Sequence, residues 1–282
     1  VIVHPLQRSD ADAWLAWLSG AEYVYQHVGW HPIAHWVGRP VSLCLRNKDQ
    51  TLAASLLVCP DRLGTAWLQA FAARTRPGAA AAWAVLWPGM EEALKSSSID
   101  GVWVMTTQPW FAALLRDGGF RPAGNVVALA QSGPPPAGRP GDNDGVEAIR
   151  DADLAAVEEL DHAAFSIPWR MDSDALRETV ARAALAAVYR SGSRILGYQI
   201  TVPTAQGVHL ARLAVLPASQ RQGIGRRLTA HLLGYFHLRG APRVTVNTQS
   251  DNPASLRLYR ALGFKLTGEK YPVFHWSAPL QH

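Results

Sequence analysis

The residues best placed to do chemistry lie in one run, Leu213-Ala-Val-Leu-Pro-Ala-Ser-Gln-Arg-Gln-Gly-Ile-Gly225. An apolar stretch of strand character ends there in a Gln-x-x-Gly-x-Gly turn that opens an amphipathic helix. Gly223 and Gly225 let the backbone approach a ligand with no Cβ in the way, and successive N–H groups at a helix start converge on negative charge. Arg221, Arg226 and Arg227 add cations around the same turn. The chemistry this suits is the binding of a pyrophosphate. Tight turns and close helix packing call for the same two glycines, so the turn alone leaves both readings open. A nicotinamide loop is disfavoured, because its third glycine and its downstream acidic residue are missing.

The elements that must position this turn follow from the surrounding pattern. Residues 146–149 read as a strand and 151–165 as a helix whose Leu154, Val157 and Leu160 face inward. A second helix is expected over 172–186, then strands at 187–190, 195–202 and 208–215, the last two flanking the turn Thr204-Ala-Gln-Gly207. A helix at 225–238, a strand at 243–248, a helix at 253–262 and strands at 264–267 and 271–276 complete a mixed α/β sheet. Strict alternation over 208–215 puts His209 on one face with Ala211, Leu213 and Val215.

The chain also matches itself. A shift of 144 residues lays Pro109-Trp-Phe-Ala-Ala-Leu-Leu-Arg-Asp-Gly-Gly-Phe120 on Pro253-Ala-Ser-Leu-Arg-Leu-Tyr-Arg-Ala-Leu-Gly-Phe264, and sets Trp67–Phe71 beside Ala211–Val215 without a gap. The halves read as tandem copies of one fold. In the first copy, Arg76-Pro-Gly-Ala-Ala-Ala81 stands where the second has Gln220 to Gly225, and Leu115 stands opposite Tyr259. The first copy is therefore expected to have lost the ligand turn. Residues 131–145, dense in Pro and Gly, read as the linker between a first domain at 1–130 and a second at 146–282.

Composition narrows the classes. The chain has 282 residues, 48% hydrophobic and 17% charged, enough for two packed cores. A net charge of +5 favours anionic partners, but no Lys/Arg run marks a nucleic-acid arm, and no apolar run reaches the length of a membrane span. Neither a nucleic-acid nor a membrane partner is expected. Cys44 and Cys59 lack metal-ligand spacing and read as buried reduced thiols, no metal site is expected, and a cytoplasmic protein, monomeric or homodimeric, is the expectation.

The Gln-x-x-Gly-x-Gly turn followed by Asn252-Pro-Ala-Ser-Leu-Arg-Leu-Tyr-Arg-Ala-Leu-Gly-Phe264 closely resembles the GNAT superfamily of N-acetyltransferases, over essentially the whole second domain. The resemblance implies an α/β fold of two tandem GNAT-type domains, each a largely antiparallel twisted sheet flanked by helices, the first degenerate. It implies acetyl-CoA as co-substrate and a primary amine of a peptide N-terminus or small metabolite as acceptor, with a non-catalytic acetyl-CoA sensor as the alternative. Leu213, Ala214 and Val215 would offer backbone to the pantetheine arm. Gln220, Arg221, Gln222, Gly223, Ile224, Gly225 and Arg226 would hold the pyrophosphate, with Asn252 and Ser255 contacting the same cofactor. Asn252 reads equally as a helix cap. Tyr259 would protonate the departing sulfur or serve as a core tyrosine. His209 falls where relatives often carry a glutamate base, a departure that leaves a hydrogen-bonded strand histidine as the other reading, with Glu269, Asp161 and His162 as further candidate bases. Phe165-Ser-Ile-Pro-Trp169 resembles the ribosomal-protein alanine N-acetyltransferases, whereas the tandem layout is similar to mycothiol synthase. Trp30 and Trp36, beside His27, His31 and His35, are candidates to line an acceptor cleft.

Overall fold

Period-two apolar patterning in each half builds a meander, and the glycine- and proline-marked turns between strands fix where it folds back. The structure, a computed structural model, describes residues 2–27, 33–38, 41–95, 99, 101–135 and 144–278. Trp30, His31 and the middle of the expected linker lie outside the described residues.

The first half runs β1 (Val3–Pro5), α1 (Ala11–Leu18), β2 (Tyr23–Gln26), β3 (Val41–Arg46), β4 (Leu52–Pro60), β5 (Thr65–Ala73), α2 (Arg76–Lys95), β6 (Gly101–Met105), α3 (Pro109–Asp117) and β7 (Arg121–Ser132). The second half repeats the plan as β8 (Val146–Ala148), α4 (Leu154–Ala164), α5 (Ser173–Ala181), β9 (Leu185–Ser191), β10 (Arg194–Thr204), β11 (Gly207–Val215), α6 (Ile224–His237), β12 (Arg243–Gln249), α7 (Pro253–Ala261) and β13 (Lys265–Ser277). The helix expected over 172–186 stops at Ala181, because 185–191 pairs with β10. The two terminal strands expected from the sequence are one continuous strand.

The chain divides into two units, but not within 131–145. Residues 1–124 and 271–282 make the first, and residues 125–270 the second. The reason is an exchange of terminal strands. After α3, β7 leaves its own half and pairs antiparallel with β12, Val126 to Ser132 against Gln249 to Arg243. After α7, the end of β13 does the reverse, Val273 to Ser277 pairing with Met105 to Gly101 of β6. Each half thus completes the other's sheet with its last strand.

Within each unit the ladders are antiparallel except β5 with β6 and β11 with β12, which are parallel. The bulges set the internal alignment, Gln69 in β5 matching Ala211 in β11: Ala70 occupies the place of Arg212, so the offset here is two residues less than at α3 and α7. The ungapped match of Trp67–Phe71 to Ala211–Val215 is therefore two residues out.

Each sheet buries both faces. In the second unit one face packs Leu228, Leu232, Leu233 and Phe236 of α6 and Tyr259 and Leu262 of α7, while the other packs Val157 and Leu160 of α4 and Leu176 of α5. Gly197 of β10 lets α6 come close, since a Cβ there would meet Ile224 Cγ2 at 2.9 Å. In the first unit Phe71, Trp83, Trp87 and Phe111 dominate one face, and Trp14 and Trp17 of α1 the other. The many tryptophans of this half are thus largely spent on its core. Cys44 is buried and Cys59 half-buried, both as free thiols. Among the described residues no helix is long and apolar enough to cross a membrane, and no group of His, Cys, Asp and Glu is arranged to hold a metal.

Candidate active site

The site begins where two parallel strands part. β11 and β12 pair only from Val208, His209 and Leu210 to Val244, Thr245 and Val246. Beyond Leu210, β11 continues to Val215 with β10 on one edge, and its other edge has no strand partner among the described residues. β12 continues past the gap, paired along its whole length with β7 on its opposite edge. Leu213, Ala214 and Val215 lie on this open edge, which has no strand partner among the described residues.

The strand runs into the glycine turn. The Gln220 amide closes it by donating to the Val215 carbonyl at 3.3 Å. Arg221, at φ 62°, and Gly223, at φ 80°, both adopt left-handed backbone. Nothing lies within 4 Å of where a Gly223 Cβ would stand, and a Cβ on Gly225 would touch only Leu258 and Val215 at 3.4 Å and 3.8 Å. No side chain caps α6, so the first-turn N–H groups of Ile224 and Gly225 face outward without a cap, where the helix dipole favours an anion. Gln222 is exposed in the turn, Arg226 half-buried. Arg227 points elsewhere, its guanidinium 5.9 Å from the Tyr189 ring.

At the start of α7, the Asn252 side chain accepts from the Ser255 N–H at 3.0 Å. The cap reading of Asn252 therefore holds, and it fixes the first turn that carries Ser255. Tyr259, one turn on, is 4% exposed. It packs with Leu210 and Val246, the last paired residues before β11 and β12 part. Its hydroxyl has no hydrogen-bond partner among the described residues, and burial raises its pKa above the ordinary phenol value. The phenol is thus protonated at neutral pH.

His209 sits elsewhere than the alternation suggests. Ile200 pairs with Arg212 and Thr201 with Leu210, so Ala211 is a bulge that flips the phase of β11. His209 shares a face with Arg212 and Ala214, toward α4, while Leu213 and Val215 lie on the α6 and α7 face with Tyr259. Its Nδ1 lies 2.8 Å from Thr245 Oγ1, which itself donates to the Val208 carbonyl at 3.3 Å. Burial lowers the imidazole pKa to about 4, so His209 is neutral at pH 7. Of the other candidate bases, Asp161 is fully buried and saturated with donors, the His162 Nε2 is bonded to the Met171 carbonyl at 2.8 Å, and Glu269 is exposed beside Thr267.

Residues 154–264 match the acetyltransferase (GNAT) family model. The ribosomal protein bS18-alanine N-acetyltransferase of Escherichia coli K12 is 27% identical over 119 residues, 42% of this chain and 79% of that protein. The mycothiol acetyltransferase of a Nocardioides species is 30% identical over 214 residues, 62% of this chain and 72% of that protein. The chain belongs to the GNAT acetyltransferase family. A tandem GNAT protein from the clavulanic acid biosynthesis pathway, solved without acetyl-CoA, superposes with a TM-score of 0.64 at 16% identity over 100% of this chain and 99% of that one. The likeness shows that the tandem GNAT fold runs the whole length. Members of this family use acetyl-CoA, and the open strand edge and uncapped helix start of this GNAT chain fit such a group: the edge offers backbone to a pantetheine arm, and the helix start offers N–H groups to a pyrophosphate.

The first unit carries the same parting of strands but fills it. β5 pairs with β6 only at Thr65 to Trp67, and from Ala70 to Ala73 that same edge takes β2, Gln26 to Tyr23. Three further bonds secure the insertion: His27 N–H to the Gln69 carbonyl at 2.9 Å, the Tyr25 hydroxyl to the Met105 carbonyl at 3.2 Å, and the Gln108 amide to the Val24 carbonyl at 3.0 Å. The start of α2 is closed as well, Thr75 Oγ1 accepting from the Gly78 N–H at 3.3 Å. Sequence showed the missing turn. It gave no sign that the chain itself fills the gap.

Proposed function

We propose that the second unit binds acetyl-CoA along the open edge of β11 and transfers its acetyl group directly to a primary amine. The observation that carries this reading is the unpaired edge at Leu213 to Val215 leading into an uncapped helix start. Acetyl-CoA, when bound, supplies a thioester whose carbonyl an amine can attack. Main-chain N–H groups on the open edge stabilise charge developing on the carbonyl oxygen. The turn from Gln220 to Arg226 holds the pyrophosphate, and the first turn of α7, with Asn252 and Ser255, bounds the cofactor beside it. Tyr259, buried and protonated, donates its proton to the departing sulfur. His209, held neutral on the opposite face one residue before the strands part, accepts the amine proton, directly or through water. A sensor that only bound the cofactor would have no use for a leaving-group acid.

For the acceptor we favour a small-metabolite amine, because the match to the mycothiol acetyltransferase extends over 62% of the chain, more than the second half alone provides. A peptide N-terminus is the second reading, supported by the match to the ribosomal-protein acetyltransferase and by Phe165-Ser-Ile-Pro-Trp169. Free-thiol release from acetyl-CoA is measured over short peptides beginning with Ala or Ser, amino acids, polyamines, aminoglycosides and cysteine-linked amino sugars. Turnover with a sugar-linked amine is expected; turnover on peptides alone selects the second reading. Silence across the panel, with one coenzyme A bound per chain, overturns the catalytic reading in favour of a sensor.

A further inference from the structure

The strongest concentration of buried charge in the second unit lies outside the cofactor site. Asp161, near the end of α4, is 0% exposed, and its carboxylate accepts from the Tyr198 hydroxyl, from the Arg212 guanidinium through Nε at 3.1 Å and through Nη2, and from the Met171 N–H at 2.9 Å. Arg212 in turn lies over the Phe165 ring, 4.0 Å to its centroid. The segment from Phe165 to Met171 is thereby gripped at both ends by one carboxylate, with Arg170 Nε bonded back to the Phe165 carbonyl at 2.9 Å. Arg212 also neighbours the Ala211 bulge, on the strand whose next residues form the open edge.

The first unit shows what happens without this grip. Aligned through α1 and α4 and through the ladders that flank the two bulges, Asp161, Tyr198 and Arg212 fall on Leu18, Ser55 and Ala70. No carboxylate stands there, and Ser55 instead accepts from Trp14 Nε1 at 2.9 Å. Counted from the same helix starts, Ser166 to Trp169 falls on Tyr23 to Gln26, which is β2, the strand inserted on the edge of β5. The same connection is tethered away in one unit and lies in the gap in the other.

We propose that Asp161, acting through Arg212, is a positioning residue that holds residues 165–171 off the edge of β11 and so keeps that edge open to the cofactor. This rests on the acetyl-CoA reading above. Burying an ion pair is a poor source of stability, whereas breaking one leaves a stranded charge, which fits a role in specifying one arrangement of the loop.

The test is titration of the full chain with coenzyme A by calorimetry, alongside hydrogen exchange of the amides of 165–171. In Asp161→Asn the dissociation constant is expected to rise at least tenfold and those amides to exchange faster. Replacing residues 166–169 by two glycines in that background, which leaves too little chain to pair along the edge, is expected to bring affinity back toward wild type. Arg212→Lys, which keeps the charge but loses the forked contact and the stack on Phe165, should fall between, and it serves where Asp161→Asn does not fold. Unchanged affinity in both variants, or a loss that loop shortening fails to rescue, overturns the positioning role alone. A wild-type chain that does not bind coenzyme A overturns the cofactor reading and this proposal with it.

Discussion

The two units solve the same geometric problem in opposite ways. A pair of parallel strands that part after three residues leaves an edge of unsatisfied backbone groups, which must find partners in the chain, water or a ligand. In the first unit the chain supplies them from Tyr23 to Gln26, and Thr75 caps the helix that follows. In the second, the edge at Leu213 to Val215 and the first turn of α6 stay open, and a phenol waits beside the parting strands. The same gap is thus filled by the chain in one unit and left open in the other.

The contrast can be broken at several points. The largest effect is expected from Tyr259→Phe, which should lower kcat by about 100-fold or more, the usual scale for losing a general acid, while coenzyme A affinity stays within twofold. Leu115→Tyr at the matching place in the first unit should restore nothing, and a second bound coenzyme A in that variant would break the contrast. Next comes Gly223→Ala. A left-handed backbone costs a side chain about 1–2 kcal/mol, so the turn should bind coenzyme A about tenfold more weakly by calorimetry. Thr75→Ala, its counterpart, should cost about 1 kcal/mol of stability as a lost cap and leave binding unchanged.

The smallest effect concerns a feature the halves share. Burial lowers both His27 and His209 to about 4, against 6.5 for the free side chain. The unfolded chain therefore takes up these protons first as pH falls, and the stability tied to the neutral rings is present above 6.5 and lost progressively toward 4. Melting temperature should drop across that window, and His27→Gln or His209→Gln should each flatten the slope by one proton. A slope unchanged in either variant would show that ring to titrate alike in the folded and unfolded chain, which overturns the lowering by burial.

Much of this was legible beforehand. The turn from Gln220 to Gly225 and the helix from Pro253 to Ala261 carry their physics locally, in glycines, a proline and a cap, and both stand where the pattern put them. The repeat showed too. What stayed hidden is non-local. The Ala211 bulge leaves no mark in a Val-His-Leu-Ala-Arg-Leu-Ala-Val run, so the face of His209 was read one step out of phase. Tyr23 to Gln26 has strand character, but nothing in it names β5 as partner. The exchange of β7 and β13 is invisible for the same reason: a strand pattern states what is apolar, and not which neighbour will cover it. Asp161 was weighed as a base, since its three donors come from residues 10, 37 and 51 positions away.

The exchanged terminal strands bear on how such a chain can change over generations. Once each copy depends on the other for the closing strand of its sheet, neither can be deleted at the genetic seam without stripping an edge from the survivor. The pairing constrains the shape of both copies and says nothing of their chemistry. The first half is therefore constrained wherever β6 holds the last strand of the second, whatever becomes of the segment from Arg76 to Ala81.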